Sequence, residues 1–250
     1  MYKYKINEKL FHNFTDLLLN IKKEFLDNSQ TIHKARNELK IIEYEGINTI
    51  VKSFKVPNIL NQIIYSYFRD SKAKRSYEHS LHIEQFTPNA IGYIEFYSGI
   101  FLKESYFISE KFDYDFTIRE PLLKNDFNDR KEIFKAFARF TLELHNNNIY
   151  HFDYSPGNIL IKKENNTYSF KIVDINRMKF FKLTQKDRIK NFSKLWADKE
   201  TLKIIGDEYQ KHYDCDENFI EQLINFSESY KKNKLKIKSI KLFFKNKGNQ

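Results

Sequence analysis

Residues 151–161 read His-Phe-Asp-Tyr-Ser-Pro-Gly-Asn-Ile-Leu-Ile, and a later apolar run ends in Val173-Asp174. Asp153 is followed five positions later by Asn158, and Asp174 closes the next apolar segment. In phosphoryl transfer from ATP, one carboxylate orients the attacking hydroxyl or accepts its proton, while an asparagine and a second aspartate hold magnesium against the phosphates. The pattern therefore predicts Asp153 as the catalytic base and Asn158 and Asp174 as magnesium ligands.

The residues around this loop predict a helix before it and a hairpin after it. Apolar side chains recur at helical spacing within residues 128–146, and Asp129 with Glu132 predicts an N-terminal cap. Two short strands, 159–161 and 168–173, are separated by a polar turn. The loop also has the composition of an ordinary turn. The hairpin that delivers Asp174 favours a site instead.

Composition and charge limit the class of protein. The 250 residues are 41% hydrophobic and 16% aromatic, which is typical of a folded chain, and the single cysteine, Cys215, excludes a disulfide framework. We find no signal sequence and no apolar run of membrane-spanning length. A cytoplasmic protein, or one peripheral on the cytoplasmic face of a membrane, is expected.

A formal charge of +10 favours anionic partners such as a nucleotide, a nucleic acid or an acidic membrane surface. No nucleic-acid-binding motif accompanies the charge, so no specific nucleic-acid partner is predicted. Residues 231–247 interleave lysines with apolar side chains. This tail is either a helix lying on a membrane surface or, as we favour from the sequence, a solvated final helix that packs Leu235, Ile237 and Phe243 on the body.

The upstream half predicts an antiparallel sheet with a nucleotide-binding lysine. Residues 39–44 and 49–54 have the composition of strands, separated by the turn 45–48. Lys52 lies beside Ile50 and Val51, and a lysine fixed on a strand reaches the α- and β-phosphates of ATP. Lys55 is the alternative. The alternative explanation is that Lys52 is an exposed lysine on an edge strand without a role in nucleotide binding.

Three further nucleotide contacts are predicted. The helix expected at residues 72–82 offers Glu78 as the ion-pair partner of Lys52, with Glu84 as a competitor. Strands are expected at 92–97 and 105–111, and the second, which contains Glu110, enters a hinge whose backbone binds adenine. The sequence has no glycine-rich phosphate loop, and Arg36, in the turn 33–37, either contacts the phosphates in its place or lies in a plain surface turn.

The chain resembles the bacterial lipopolysaccharide kinase family, the Kdo kinases and core heptose kinases of the protein-kinase-like superfamily. The segments that carry the resemblance are 50–57, 69–77, 151–160 and 173–177. It implies an α+β, two-lobed protein-kinase-like fold, with a small antiparallel β-sheet lobe that has one main helix and a larger, mostly helical lobe. It also implies ATP and Mg²⁺ as cofactors and, as partner, a glycolipid lipopolysaccharide precursor whose sugar hydroxyl is phosphorylated.

Carried over to this sequence, the resemblance divides the chain into an N-lobe, 1–111, with an N-terminal helical extension, and a C-lobe, 112–250, with the catalytic loop and the basic tail. His151 would brace the loop. Two departures stand out: Arg75-Ser76 replaces the frequent Arg-Glu of the helix, and Asp174-Ile175-Asn176 lacks the glycine of D-F-G. No A-P-E segment follows, which argues against a conventional protein kinase.

Three functions follow from these observations. The first is a phosphotransferase with an alcohol acceptor, the Kdo of a lipid A precursor or a core heptose, at the cytoplasmic face of the inner membrane. The second is a kinase of a soluble small molecule, for which the positive charge disfavours cationic aminoglycosides. The third is a catalytically silent, kinase-like regulatory module, although retention of Asp153, Asn158 and Asp174 together argues against it. The sequence leaves the oligomeric state open.

Overall fold

The structure, a computed structural model, describes residues 1–34, 37–55, 70–165 and 167–247. The chain forms two compact units. Unit 1 comprises Met1–Asp113 together with Lys171–Arg177, and unit 2 comprises Tyr114–Phe170 together with Met178–Gln250. The segment that carries Asp174 therefore belongs with the N-terminal half of the chain.

Unit 1 is built on a six-stranded antiparallel sheet in the order β1-β5-β6-β4-β3-β2. The strands are β1 (Tyr2–Ile6), β2 (Thr31–Lys34), β3 (Glu38–Tyr44), β4 (Ile47–Lys55), β5 (Ala90–Ser98) and β6 (Phe101–Glu110). Glu45 and Gly46 form the two-residue turn between β3 and β4, with φ of 50° and 73°. This left-handed backbone matches the strand twist, and glycine adopts it without strain.

The α-helices that the structure describes in unit 1 are α1 (Glu8–Phe11), α2 (Thr15–Leu19), α3 (Ile21–Asp27) and α4 (Lys72–His82). Apolar side chains of the first three pack on the sheet, including Leu17, Leu18 and Phe25 against Ile42, Val51 and Ile108. Gly92 permits this close packing, because a Cβ there would lie 2.8 Å from Leu18 Cδ2 and 2.7 Å from Lys5 O. The predicted helical extension is thus part of the core, and β1, which precedes it, was not expected from the sequence.

Unit 2 is mostly helical. Its elements are β7 (Phe116–Thr117), α5 (Arg119–Leu123), α6 (Arg130–Asn146), β8 (Ile149–His151), β9 (Ile159–Glu164), the start of β10 (Thr167–Ile172), β11 (Met178–Phe180), α7 (Gln185–Phe192), α8 (Lys199–Gln210) and α9 (Phe219–Lys247). The predicted helix–loop–hairpin is present as α6, the loop after β8, and β9 with β10. In the part of the chain that the structure describes, no helix is long and apolar enough to cross a membrane.

The predicted cap at Asp129 is wrong. Asp129 precedes α6 but has a left-handed backbone, with φ of 57°, and makes no capping hydrogen bond. Its carboxylate instead accepts hydrogen bonds from Lys163 Nζ at 2.7 Å and Tyr168 Oη at 2.9 Å. The Asp129 carboxylate thus binds two donors on the β9–β10 hairpin instead of the backbone N–H groups at the start of α6.

The predicted packing of the tail is also wrong. The first half of α9 buries Phe219 and Leu223, but Leu235 is 56% exposed and Ile237 is 49% exposed. The side chain of Phe243 lies outside the described residues. Residues 232–242 are all exposed, so the narrow apolar stripe between the lysines of this half of the helix remains in solvent.

Candidate active site

The loop that carries Asp153 is held by hydrogen bonds to the backbone N–H and carbonyl of Asp153. The Asp153 N–H donates to His151 Nδ1 at 3.0 Å, and the Asp153 carbonyl accepts from Asn158 Nδ2 at 2.8 Å and from the Ser155 N–H. His151 is buried and Asp153 is half-buried. The structure thus brings Asp153 and Asn158 together through one hydrogen bond, and His151 braces the loop as the sequence predicted.

A buried hydrogen-bond network supports this loop from behind. Arg188 donates to the Tyr209 hydroxyl at 2.8 Å, and that hydroxyl lies 2.8 Å from His145 Nδ1. His145 Nε2 lies 3.1 Å from Asn191 Oδ1, and Asn191 Nδ2 donates to the His151 carbonyl at 2.8 Å. Burial lowers the pKa of His145 to about 3, so its ring is neutral: Nε2 donates to Asn191, and Nδ1 accepts from Tyr209.

The neutral state of His145 predicts acid sensitivity. Its pKa is lowered by folding to about 3 from an ordinary value of 6.5, so the unfolded chain binds the extra proton first as pH falls. The stabilisation is complete above about pH 6.5 and is lost progressively below it. We expect the free energy of unfolding to fall by up to about 1.4 kcal/mol per pH unit between pH 6 and 4 from this one group.

Urea unfolding of the wild type and a His145→Gln variant across this pH range measures the effect. The variant should show a shallower pH slope, while a His212→Gln control, at an exposed histidine, should keep the wild-type slope. Equal slopes in all three proteins would contradict the buried, neutral assignment of His145.

In unit 1, Lys52 and Asp174 form an ion pair. Lys52 points from β4 with its side chain 13% exposed, and the Asp174 side chain is 32% exposed. Asn176 Nδ2 also donates to Asp174 Oδ1 at 2.7 Å. Asp174 has φ of 58°, a left-handed conformation in which aspartate and asparagine are among the better-tolerated residues. The predicted phosphate-binding lysine and the predicted metal-binding aspartate are therefore direct neighbours.

Helix α4 holds the segment after Asp174, through residues that the sequence analysis missed. Arg75 Nη1 donates to the Asn176 carbonyl at 2.8 Å, and His79 Nδ1 donates to the Ile175 carbonyl at 2.7 Å. Burial lowers the pKa of His79, which favours the neutral ring as donor. The i, i+4 spacing of Arg75 and His79 was the available signal, since it places both on one helix face.

The predicted pairing of Glu78 with Lys52 is not what the structure shows. Glu78 lies 3.8 Å from Lys74 on the same helix, and its side chain is 46% exposed. The buried face of α4 is formed by Ala73, Ser76, Tyr77 and Ser80, which leaves Glu78 directed to solvent. The competing Glu84 is also exposed, so Asp174, rather than a helix carboxylate, neutralises Lys52.

The remaining predicted contacts have different positions. Glu110 ends β6, and its carboxylate accepts from Asn89 Nδ2 at 2.7 Å. The backbone N–H groups of Glu110 and Lys111 donate to Asn89 and Asn48, so these two donors are used within the unit. Arg36 lies outside the described residues. Lys55 ends β4, and its side chain is not described.

A pocket of about 670 Å³ opens in unit 2 beside the loop that carries Asp153. It is lined by aromatic rings and by charged side chains: Tyr150, Phe152, Lys179, Phe180, Phe181, Asp187 and Lys190. Phe180 and Phe181 are each more than a third exposed, and Lys179 Nζ lies 5.3 Å from the centre of the Phe152 ring. The pocket thus offers flat apolar surfaces next to cations.

Comparison with known proteins decides the family. The sequence model of the lipopolysaccharide kinase (Kdo/WaaP) family matches residues 88–213, half of the chain. This chain belongs to the lipopolysaccharide kinase family. The resemblance inferred from the sequence is confirmed, and because members of the family phosphorylate sugar hydroxyls of lipopolysaccharide, the chain is a phosphotransferase. No curated protein matches the sequence.

A solved structure agrees with the fold expected for a lipopolysaccharide kinase. A structure described as WaaP in complex with acyl carrier protein aligns with a TM-score of 0.58 at 12% identity, covering 91% of this chain and 98% of that one. A Rio2 kinase from Chaetomium thermophilum, in a complex with ADP, Mg²⁺ and phosphoaspartate, aligns with a TM-score of 0.49 at 14% identity, covering 85% and 65%. The match to WaaP, with the higher TM-score, confirms the predicted fold.

Proposed function

We propose that this lipopolysaccharide kinase uses ATP and Mg²⁺ to phosphorylate the Kdo of a lipid A precursor, with Asp153 as catalytic base. The observation that carries the nucleotide part is the ion pair of Lys52 with Asp174. A strand lysine beside the aspartate that follows an apolar strand is the arrangement with which kinases hold ATP phosphates and their metal ion. Lys52 would contact the phosphates, and Glu110 would lie at the adenine end of the sheet.

Asn158 and Asp174 fit the role of magnesium ligands. The side-chain N–H₂ of Asn158 donates to the Asp153 carbonyl. The amide oxygen of Asn158 is therefore the group that would bind a cation. Asp174 supplies a carboxylate, and oxygen ligands of these two types are those that Mg²⁺ prefers. Magnesium, when bound, supplies positive charge that offsets the charge on the phosphates.

The chain's own residues prepare the acceptor. Asp153 would orient the sugar hydroxyl and accept its proton as the new O–P bond forms and the bond between the γ-phosphorus and the bridging oxygen of ATP breaks, releasing ADP. The pocket next to Phe152 supports a glycan acceptor, because flat rings pack against sugar faces and Lys179 and Lys190 attract carboxylate or phosphate groups. Kdo carries a carboxylate and a core heptose does not, so this charge favours Kdo over heptose.

A panel of acceptors tests this assignment. Phosphate transfer from ATP would be measured with a Kdo-bearing lipid A precursor, a heptose-containing core glycolipid, choline and a free sugar, at equal concentrations. We expect the highest kcat/KM with the Kdo glycolipid. Preference for the heptose glycolipid would change the acceptor within the family, and preference for a soluble acceptor would support the small-molecule alternative. No transfer to any of them would support a silent module.

We also propose that the tail of α9 contacts the anionic cytoplasmic face of the inner membrane. Residues 231–247 contain eight lysines and no acidic residue. Lys234, Lys238 and Lys241 recur on one helix face, next to a stripe that contains Ile237 and Ile240, which are 49% and 46% exposed. An apolar stripe bordered by lysines is the pattern of a helix that lies in a membrane interface, with each lysine worth about 1 kcal/mol near an anionic surface.

Vesicle binding tests the tail. With vesicles containing anionic phospholipid, we expect Lys234→Gln, Lys238→Gln and Lys241→Gln each to weaken binding roughly fivefold, and Ile237→Asn with Ile240→Asn to weaken it further. Raising the ionic strength should have the same direction of effect. Control variants Lys9→Gln and Lys23→Gln, at exposed lysines of unit 1, should bind as the wild type does. Equal binding by all variants would contradict the contact.

A further inference from the structure

The backbone conformation of Gly157, in the catalytic loop, does not require glycine. Its φ lies outside the left-handed region, so an ordinary residue would fit the backbone. A Cβ at this position would, however, lie 2.6 Å from Nη2 of Arg119 and 3.2 Å from its Cζ. The absent side chain leaves room for a guanidinium group that lies across the loop, one residue before Asn158.

The backbone of Arg119 is fixed beside this loop by strand pairing. Phe116 pairs with Ile161 and Thr117 with Leu160, and the Ile118 N–H donates to the Ile159 carbonyl at 3.1 Å. Arg119 follows directly as the first residue of α5. The Glu120 carboxylate accepts from both the N–H and the hydroxyl of Thr117, at 2.9 and 2.6 Å, which holds the turn into α5. Arg119 therefore begins from a preorganised backbone.

The charge of Arg119 is available to a ligand. Arg119 is exposed, and within the described residues no carboxylate lies at ion-pair distance from its guanidinium. The other arginines of unit 2 are engaged: Arg130 with Asp198, Arg139 with Glu208, and Arg188 with Tyr209. A cation in contact with the catalytic loop, with no internal partner, is placed to bind an anion.

We propose that Arg119 binds a carboxylate or phosphate of the glycolipid acceptor and so holds the reacting hydroxyl at Asp153. The guanidinium fork matches either oxyanion in a bidentate manner. The nucleotide is the other source of phosphate, since the predicted magnesium ligand Asn158 lies on the same loop, although Lys52 and Asp174 belong to unit 1. The contact of Arg119 with the loop that carries the catalytic base favours the acceptor. This inference rests on the proposed kinase function, and it names the residue that selects an anionic acceptor.

Steady-state kinetics of Arg119→Gln test the inference. We expect the KM for the Kdo-bearing lipid A precursor to rise about 10- to 100-fold, as for loss of a hydrogen-bonded charge pair, with the KM for ATP unchanged. Arg119→Lys should recover part of this loss. A Lys124→Gln control removes an exposed charge at the other end of α5 and should have no effect. A raised KM for ATP with an unchanged KM for the acceptor would overturn the proposal in favour of the nucleotide.

A second test changes Gly157, the loop residue that the Arg119 guanidinium contacts, to alanine. Its methyl group displaces the flexible end of Arg119, so it should raise the acceptor KM by itself, yet add nothing in the double variant with Arg119→Gln. Additive effects would overturn the proposed geometry. Removing the phosphates and the Kdo carboxylate from the acceptor should weaken binding by the wild type more than binding by Arg119→Gln, because the variant has already lost one of the cations that contact these groups.

Failure of the inference and failure of the proposed function give different results. Transfer by the wild type that Arg119→Gln leaves unaltered overturns the inference alone. If the wild type transfers no phosphate, the proposed function fails, and direct titration with the same glycolipid then decides on Arg119. An unchanged Kd in Arg119→Gln would overturn its role, and a Kd raised by tenfold or more would support it.

Discussion

Replacing Asp153 with alanine should lower kcat for phosphate transfer by about 10²- to 10⁴-fold, the range lost with a general base. The hydrogen bonds that shape the loop use the backbone N–H and carbonyl of Asp153, so removing the carboxylate leaves them in place. The Kd for Mg-ATP should therefore stay within about twofold of the wild-type value. The effect belongs to the chemical step and not to folding.

The measurement is kcat with the Kdo-bearing glycolipid, together with a nucleotide titration of each protein. Asp126→Ala is the matched control, since it removes an exposed carboxylate from the same unit and should retain full activity. Wild-type turnover by Asp153→Ala would exclude Asp153 as the base.

Asp174→Asn should abolish the magnesium-dependent part of ATP binding and lower kcat/KM by at least about 10²- to 10³-fold, as when a preorganised charge is removed from a reacting site. Asparagine tolerates the left-handed φ of 58° and keeps a polar group beside Lys52, so the backbone should be preserved. Alanine would add strain at this position, which makes Asp174→Asn the cleaner variant.

ATP titrations with and without Mg²⁺ measure this loss. The control is Asp70→Asn, which removes the same charge from an exposed residue that pairs with Lys74 at 2.7 Å. The difference between the two titrations should vanish in Asp174→Asn and persist in Asp70→Asn. If Asp174→Asn keeps the wild-type dependence on Mg²⁺, Asp174 is not a metal ligand.

Local sequence signals predicted the elements that carry the site. The loop from His151 to Asn158 and the strand before Asp174 could be read directly, because turn residues and apolar runs specify short-range structure. Helix α4 was also predicted at Lys72–His82, and Ser71, whose side chain accepts from the Lys74 N–H, caps it. Each of these depends on residues within a few positions of one another.

Contacts between distant segments could not be read in this way. Arg75 and His79 bind carbonyls about a hundred positions away, and Lys52 pairs with a residue 122 positions away. The sequence suggested Glu78 for Lys52 because a helix carboxylate usually serves that lysine. Burial of Ala73 and Tyr77 fixes which face of α4 packs on the unit, and this register directs Glu78 to solvent. Arg119 was missed for the same reason, since only the pairing of β7 with β9 brings it to Gly157.

Two elements, the edge strand β1 and the tail of α9, were not predicted correctly from the pattern of polar and apolar residues. Tyr2–Ile6 alternates polar and apolar residues, the signal of a strand, yet it was not recognised because four of its five residues are exposed at the edge of the sheet. The tail was expected to bury apolar side chains, but its apolar stripe is narrow and bordered by lysines, which is too little surface to hold the helix on the rest of the chain.

The most direct measurement is the mass of a Kdo-bearing lipid A precursor after incubation with ATP, Mg²⁺ and the purified chain. We expect the gain of one phosphate with the wild type, at most a trace of this product over the same time with Asp153→Ala, and none without ATP. A glycolipid that stays unmodified, while the wild type binds Mg-ATP, would contradict the proposed acceptor and reaction.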